Sequence, residues 1–235
     1  MPPKAQLIVS THFDDAALST AHVLQGAGRA ATVLTVCAGS PSGDRPVSDW
    51  DVRSGFASGR EAARIRRLED ERSCAITGAR RVVLRHLDHP YRNRPLRTRV
   101  VRLAVERLLG DGAVLWLPAG IGGHPDHEAV RTALLPLAAR LPPARVRVYA
   151  DLPYAGRHGY RLPRVVARAL PGLRGGDVRL RGTALERKLE AVRCHASQIA
   201  PLGEAAPGLL DPGGVLARER VWRCTHRGQA RTLRA

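Results

Sequence analysis

Two short polar clusters, far apart in the sequence, carry the side chains best suited to bind a metal ion. The first is residues 12–15 (HFDD) and the second is residues 124–127 (HPDH), and each follows an apolar run. Imidazole and carboxylate groups are ligands that a zinc-like ion accepts, and a catalytic zinc uses three of them so that one position stays open for water. We therefore predict that His12, Asp15 and His127 are metal ligands, with Asp14 and His124 beside the metal for proton transfer.

Each cluster alone has a simpler explanation. An aspartate at a helix start accepts hydrogen bonds from backbone N–H groups, so a His-x-Asp-Asp sequence is also typical of a helix N-terminus. A His-x-x-His pair can occur by chance on a surface. Both clusters, however, lie between an apolar strand and a helix, and sites in open α/β sheets form beyond the carboxyl ends of strands. We therefore predict that one crevice brings the two clusters together.

The elements that must position these clusters alternate along the chain with the spacing of βαβ units, which predicts an α/β fold with a mostly parallel sheet and helices on both faces. The predicted strands are residues 6–10, 31–38, 81–87, 113–118 and 145–150. The predicted helices are residues 16–26, 59–77, 97–109, 126–140 and 183–198, the last one capped by Thr183. Residues 39–59 and 201–214 are predicted loops, the first of them bordering the site. The interruptions by Pro and Gly leave residues 153–182 unassigned.

Length and composition favour one soluble globular domain. The chain has 235 residues, 44% of them hydrophobic, so residues 1–235 can share one core, with a variable region from about residue 153 that shapes the pocket. The apolar runs are much shorter than the roughly 18 residues of a membrane span. The first residues lack the apolar core of a signal peptide. We therefore expect no membrane span and a cytoplasmic location.

The formal charge of +17 raises nucleic acid or an anionic small molecule as a partner. Only Lys4 and Lys188 are lysines, the arginines are scattered, and aromatic residues make up 4% of the chain. Few aromatic platforms are thus present for stacking bases, which argues against nucleic-acid binding. The four cysteines are widely spaced and are expected to be reduced thiols. The sequence does not indicate an oligomeric state.

Three segments also resemble a known family, the PIG-L or LmbE-like zinc-dependent N-deacetylases. The segments are residues 10–15 (STHFDD), 66–70 (RRLED) and 123–127 (GHPDH), and the resemblance extends through Tyr154. It implies a Rossmann-like three-layer α/β fold and one catalytic metal ion, Zn2+, with another divalent metal as the alternative. It also implies hydrolysis of an N-acetyl group from glucosamine-type sugars in glycolipids, thiol precursors or antibiotics.

The resemblance assigns a role to each residue of the two clusters. It makes His12, Asp15 and His127 the metal ligands, as the spacing already suggested. It makes Asp14 the general base and His124 the group that stabilises the developing oxyanion. Protonation of the leaving amine is open between Asp14 and His124.

The chain departs from the family pattern at three positions. Phe13 stands where many members have proline, Ala16 where many have glutamate, and Gly122 near the place of a tyrosine that assists catalysis in some members. None of the three is a proposed ligand. Zinc binding is therefore still expected, while the local shape and the supporting contacts of the site are expected to differ.

Arg66, Asp88 and Tyr154 are the candidate substrate-binding residues. The resemblance suggests Arg66 because a guanidinium group can donate two hydrogen bonds to sugar hydroxyls or a phosphate. The simpler explanation is that Arg66 forms an exposed helix pair with Glu69 or Asp70, one turn away. Asp88 ends a predicted strand, and Tyr154 lies at another junction between a strand and a loop.

The resemblance thus implies a zinc-dependent hydrolase that deacetylates a glucosamine-type sugar in a small conjugate, a glycolipid or a natural-product intermediate. An N-acetylated amino sugar is the expected partner. Two alternatives stay open, namely an amidase that cleaves a larger acyl or thiol conjugate and a non-catalytic sugar-binding protein of the same fold.

Overall fold

Seven strands and ten α-helices account for most of the chain that the computed structural model describes, residues 4–43 and 45–224. The strands are β1 Gln6–Ser10, β2 Ala31–Thr35, β3 Arg80–Val83, β4 Val114–Pro118, β5 Val146–Tyr149, β6 Leu173–Arg179 and β7 Arg218–Cys224. The helices are α1 Asp15–Ser19, α2 Ala21–Ala27, α3 Asp49–Arg53, α4 Gly59–Thr77, α5 Thr98–Leu108, α6 Pro125–Ala138, α7 Tyr154–His158, α8 Arg164–Ala169, α9 Gly182–Arg193 and α10 Ala196–Ala205.

The strands form one mixed sheet in the order β3-β2-β1-β4-β5-β7-β6. Strands β1 to β5 are parallel, whereas β7 is antiparallel to both β5 and β6. The chain builds outward from β1 through β2 to β3 and then crosses to β4 on the other side of β1. The direction of building therefore reverses between β1 and β4, and such a switch point opens a crevice at the carboxyl ends of the strands.

Helices cover both faces of this sheet. Helices α2 and α4 pack together and against α9, while α5 packs against α6. The central strands are apolar because both of their faces are covered. Leu7 and Val9 of β1, with Leu115 and Leu117 of β4, accordingly belong to one buried cluster. The predicted α/β, Rossmann-like three-layer fold with a mostly parallel sheet is confirmed.

The first half of the chain follows the sequence predictions closely. Strand β1 and helix α4 have the predicted bounds, and Gly78, the C-cap of α4, adopts a left-handed φ of 74°. The helix predicted for residues 16–26 is in fact two helices, α1 and α2, which meet at Thr20. The carboxylate of Glu219 causes the break, because it accepts hydrogen bonds from the backbone N–H groups of Ala21 and His22 at 2.8 and 3.1 Å.

The second half differs more. Residues 153–182, unassigned from the sequence, form α7, α8 and β6. The helix predicted for residues 183–198 is interrupted at His195, and Arg181 rather than Thr183 is the N-cap of α9. Helix α10 then continues into the predicted loop 201–214 and includes Pro201. Strand β7 had no predicted counterpart.

The loop predicted for residues 39–59 contains the short helix α3. None of the helices in the described ranges is both long and apolar enough to cross a membrane. A single domain of residues 1–235 stays a prediction, and residues 1–3, 44 and 225–235 lie outside the described part of the chain.

Candidate metal centre

The two polar clusters lie side by side at the switch point between β1 and β4. The turn after β1 is fixed by Ser10, whose hydroxyl donates to the His12 carbonyl at 2.6 Å and accepts from the Ala16 N–H at 3.0 Å. After β4, His124 is the N-cap of α6 and Pro125 occupies the first turn, where its missing N–H costs nothing. Each strand therefore delivers its cluster to the same crevice.

The three predicted ligands converge there. One donor atom from each of His12, Asp15 and His127 lies within 4.8 Å of the others. The Asp15 Oδ2 atom is 3.6 Å from His12 Nδ1 and 3.4 Å from His127 Nε2. His127 is fully buried, and its Nε2 atom has no hydrogen-bond partner among the described residues. Two imidazoles and one carboxylate fit a zinc ion that keeps one position open. The His127 nitrogen that has no hydrogen-bond partner is suited to bind this ion.

Two further carboxylates orient the histidines. Asp126 Oδ2 lies 3.1 Å from His12 Nε2, and Asp151 Oδ1 lies 2.7 Å from His127 Nδ1. Each contact engages one ring nitrogen and leaves the other free to face Asp15. A carboxylate behind a metal-binding histidine fixes the ring orientation and the tautomer. Sequence reasoning gave Asp126 no role and placed Asp151 at the strand-to-loop junction of Tyr154, where it could set specificity or be merely structural.

A second group of possible ligands shares His12 with the first. It comprises His12, Cys37, Asp88 and Asp126, whose donor atoms also lie within 4.8 Å of one another. Asp126, however, already accepts hydrogen bonds from the backbone of His89 and from the Arg92 guanidinium, besides its contact with His12. Its oxygens are thus engaged, and the first group is the better candidate.

The neighbouring carboxylates Asp14 and Asp15 have opposite pKa shifts. Burial, followed by the negative charge of Asp15, raises the pKa of Asp14 to about 6. Burial acts on Asp15 in the same direction, but the positive charge of His127 and the contacts with His12 overcome it and lower the pKa of Asp15 to about 2. Asp15 therefore stays ionised, as a ligand must, while Asp14 can gain and lose a proton near neutral pH.

His124 is held as a neutral imidazole. Burial, and then the charges of His12 and His127, lower the pKa of His124 to about 3. Its Nδ1 atom accepts the backbone N–H of Asp126 at 3.2 Å. The proton of the neutral ring must therefore be on Nε2, which can donate a hydrogen bond.

His12, Asp15 and their neighbours line one cavity of about 170 Å3. The three predicted substrate-binding residues, Arg66, Asp88 and Tyr154, all line it together with Asp14 and His124. Sequence reasoning missed several other residues that line the cavity. They include Trp50, whose indole N–H donates to the Gln198 side chain at 2.9 Å, as well as Tyr91 and Leu202. The predicted position of the 39–59 segment beside the site agrees with the presence of Trp50 there.

Arg66 is buried, and part of its side chain lines this cavity. Its guanidinium donates to Asp51 and lies 3.9 Å from a carboxylate oxygen of Asp88. Asp51 is buried and also accepts the hydroxyl hydrogen of Tyr91. Arg66 thereby joins α3 to α4 and brings a positive charge to the cavity wall.

The simpler explanation for Arg66, an exposed helix pair, is wrong. Glu69 instead accepts hydrogen bonds from the backbone and hydroxyl of Ser197, at 2.8 and 2.7 Å. Asp70 pairs with Arg81. Arg66, Glu69 and Asp70 are all buried, on a helix that packs against α9 and α10.

Tyr154 occupies the space beside Gly122. A Cβ atom on Gly122 would lie 2.7 Å from the Cβ atom of Tyr154, and the φ of 98° at Gly122 also favours glycine. The Tyr154 ring lies 5.5 Å from the His127 ring and 6.3 Å from the His124 ring, measured between centroids. Burial, followed by the charges of Asp15 and Asp14, raises the pKa of Tyr154, so its hydroxyl stays protonated.

Comparison with known proteins identifies the family. A family model described as PIG-L: GlcNAc-PI de-N-acetylase matches residues 7–138. No curated protein sequence matches the chain.

Several solved structures resemble the whole chain. The A40926 pseudoaglycone deacetylase Dbv21 is 30% identical with a TM-score of 0.72, and the match covers 94% of this chain and 96% of that one. A triple mutant of the deacetylase of the teicoplanin biosynthetic pathway is 28% identical with a TM-score of 0.75, covering 94% and 97%. The zinc-inhibited form of teicoplanin deacetylase Orf2 is 25% identical with a TM-score of 0.71, covering 93% and 97%.

The family match covers more than half of the chain, and it includes both polar clusters and the three residues that converge on one point. The chain therefore belongs to the PIG-L, or LmbE-like, family and is a metal-dependent N-deacetylase.

Proposed function

We propose that the chain is a zinc-dependent hydrolase that removes the N-acetyl group from a glucosamine-type sugar carried by a larger conjugate. The observation that carries this proposal is the convergence of His12, Asp15 and His127, with Asp14 and His124 lining the adjoining cavity. The family is associated with zinc, as the zinc-inhibited form of teicoplanin deacetylase Orf2 illustrates.

His12, Asp15 and His127 would hold the ion, and bound zinc supplies Lewis acidity that polarises a carbonyl oxygen and lowers the pKa of a coordinated water to about 7. Asp14 accepts the proton of the attacking water, because its raised pKa of about 6 lies close to neutral pH. The Nε2–H group of His124 donates a hydrogen bond to the oxygen that becomes negative.

Asp14 is also the better candidate for protonating the leaving amine. The pKa of His124 is lowered to about 3, so its ring is neutral and is a poor proton donor at neutral pH. Asp14 carries the proton that it has just accepted and can return it to the nitrogen as the C–N bond breaks. The products are acetate and a free amine.

The conjugate is proposed to be a natural-product intermediate. The similar structures are a deacetylase of the A40926 pseudoaglycone and deacetylases of teicoplanin biosynthesis, and the matches cover more than nine tenths of both chains. A role in antibiotic biosynthesis and the cytoplasmic location are part of this proposal and stay predictions.

Acetate release from a panel of N-acetylglucosaminyl compounds tests the function, with the bound metal measured in parallel. Treatment with a chelator should abolish release, and addition of zinc should restore it. A matching N-butyryl panel tests the amidase alternative, which predicts faster cleavage of the longer acyl group. Absence of acetate release from every compound by fully zinc-loaded protein would contradict the proposed function.

A further inference from the structure

A second concave surface, of about 660 Å3, adjoins the cavity of the metal centre. Its polar lining is dominated by four arginines, Arg157, Arg179, Arg181 and Arg218, and also includes Tyr160. We call this surface the basic groove. Small residues such as Gly156 and Ala205 form much of the rest of its wall.

The basic groove opens on the same edge of the sheet as the metal centre. Arg179 is the last residue of β6 and pairs with Arg218, the first residue of β7. Because β7 is antiparallel to β5, this end of the β6–β7 pair lies beyond the carboxyl end of β5, where Tyr149 pairs with Val221. The two antiparallel strands thus place their arginines beside the crevice formed by the parallel strands.

Residues at helices α7 and α10 line both the cavity of the metal centre and the basic groove. At α7, Pro153 borders both, Tyr154 lines the cavity, and Arg157 lines the basic groove. At α10, Leu202 lines the cavity, whereas Ala205 lines the groove. Three residues along a helix correspond to about 4.5 Å. A molecule with its reacting group in the cavity can therefore extend directly into the groove.

The charge of the groove is not neutralised by its own residues. Arg218 is committed, because it pairs with Asp177 at 2.8 Å and lies 4.1 Å from the centroid of the Tyr160 ring. Arg157, Arg179 and Arg181 are exposed and form no ion pair within the described ranges. The described residues that line the groove include no aspartate or glutamate.

Like charges gathered in a concave surface raise the local positive potential and attract an anion. A guanidinium group is also suited to bind a carboxylate or a phosphate, since it can donate two parallel hydrogen bonds. We infer that the basic groove binds an anionic group, a carboxylate or a phosphate, carried by the part of the substrate beyond the amino sugar. This inference rests on the proposed function, because it takes the sugar to be in the cavity.

The test uses N-acetylglucosaminyl glycosides with short, medium and long alkyl spacers that end in a carboxylate. Each acid is matched by its neutral amide, and a parallel series ends in a phosphate monoester. Calorimetry measures binding to the zinc-loaded, full-length Asp14→Asn protein, which should hydrolyse the ligands far more slowly than the wild type, and the acetate present after each titration is measured as a check. The spacer that reaches the groove should make the anion bind more tightly than the amide, and added salt should reduce that preference. The relative affinities of the two series show which anion is the occupant.

The groove variant combines Arg157→Gln, Arg179→Gln and Arg181→Gln. Its affinity for the preferred anion should fall about ten-fold or more, the size expected for several charge contacts near a surface, while its affinity for the neutral amide stays the same. A control with the same loss of charge combines substitutions at three exposed arginines outside the groove, Arg72→Gln, Arg99→Gln and Arg107→Gln. This control should keep the preference for the anion.

Equal binding of anion and amide at every spacer length would overturn the inference, as would a preference that persists in the groove variant. Acetate release from the neutral amides by the wild-type chain is measured separately and tests the proposed function alone. A result that rejects anion binding in the groove can therefore be distinguished from a result that rejects the deacetylase activity.

Discussion

Two clusters of buried ionisable side chains lie against the sheet, and they differ in whether their polar atoms hydrogen-bond to one another. In one, Glu219 is fully buried and accepts hydrogen bonds from Lys188 Nζ at 2.7 Å, from the His22 ring and from two backbone N–H groups. In the metal centre, by contrast, His127 Nε2 has no hydrogen-bond partner within the described ranges, although Asp15 lies 3.4 Å away.

The contrast between the two clusters indicates what distinguishes a binding site from a structural network. A missing partner alone is not sufficient, because buried His195 also lacks described partners at both ring nitrogens. Burial lowers the pKa of His195 to about 4, so its ring is neutral, and it belongs to neither group of candidate ligands found among the described residues. The metal centre is marked by convergence, in which donor atoms from distant segments face one point and are held from behind by other carboxylates.

Substitution of the proposed base should lower activity more than any other change considered, and it separates the role of the base from that of the metal ligands. Asp14→Asn should lower kcat by about two to four orders of magnitude, the range of general acid–base catalysis, while the zinc content stays the same. Asp15→Asn is the matched variant, and it should lose zinc affinity as well. Acetate release and metal analysis of both proteins check this contrast. Full activity of zinc-loaded Asp14→Asn would remove Asp14 from the mechanism.

The second prediction concerns the cluster around Glu219, whose members hydrogen-bond to one another. Glu219→Gln should lower the free energy of unfolding by about 3–5 kcal/mol, because the charge of fully buried Lys188 loses its counterion. The control is Glu106→Gln, which removes a pair with exposed Arg140 and should cost less than about 1 kcal/mol. Denaturant unfolding measures both. The folded Glu219→Gln protein should still bind zinc, so loss of zinc binding without loss of stability would contradict the structural role.

Lowering the pH should remove the stabilising contribution of the same Glu219 cluster in the wild-type chain. Burial opposes the ionisation of Glu219, but Lys188 and His22 overcome it and lower its pKa from 4.5 to about 2. A lowered pKa means that the ionised carboxylate stabilises the folded state above about pH 4.5, and that this stabilisation is lost as the pH falls through about 2. The difference in unfolding free energy between wild type and Glu219→Gln should therefore shrink over this range. A difference that is independent of pH would contradict the assignment.

A smaller effect is expected at the carboxylate behind His127. Asp151→Asn should weaken zinc binding about 10- to 100-fold, because the Asp151 carboxylate orients the His127 ring through Nδ1. Competition with a chromophoric chelator measures the affinity. Asp111→Asn, at an exposed position before β4, is the control and should bind zinc like the wild type. Unchanged affinity in Asp151→Asn would mean that packing alone positions the histidine.

The smallest effect concerns the wall formed by Tyr154. Gly122→Ala and Gly123→Ala should each lower stability by about 1–2 kcal/mol, because both glycines have positive φ values. Only Gly122→Ala should also reduce kcat/KM several-fold, since its Cβ would meet Tyr154, whereas nothing lies within 4 Å of a Cβ at Gly123. Equal kcat/KM values in the two variants would show that the position of Tyr154 does not matter for turnover.

The sequence was sufficient for the parts of the fold that depend on local periodicity. Strand β1 is a short apolar run and α4 has an apolar face and a closing Gly78, so their bounds could be predicted. The candidate ligands could also be predicted, because their residue types and their places after strands are local features.

The remaining parts depend on contacts between distant residues. The break between α1 and α2 is caused by Glu219, which is 198 residues from Ala21 in the sequence. Strand β6 contains Gly175 and Gly176 and is largely exposed, so it lacks an alternating apolar pattern and depends on its pairing with β7. The contact between Asp151 and His127 is likewise a product of the tertiary fold.

Anomalous diffraction at the zinc edge, from crystals of the zinc-loaded protein, would show directly which residues hold the metal. We expect one strong peak within bonding distance of His12, Asp15 and His127, at about 2.0–2.2 Å. A peak at Cys37 and Asp88 instead, or crystals that take up no zinc from a zinc-containing solution, would contradict it.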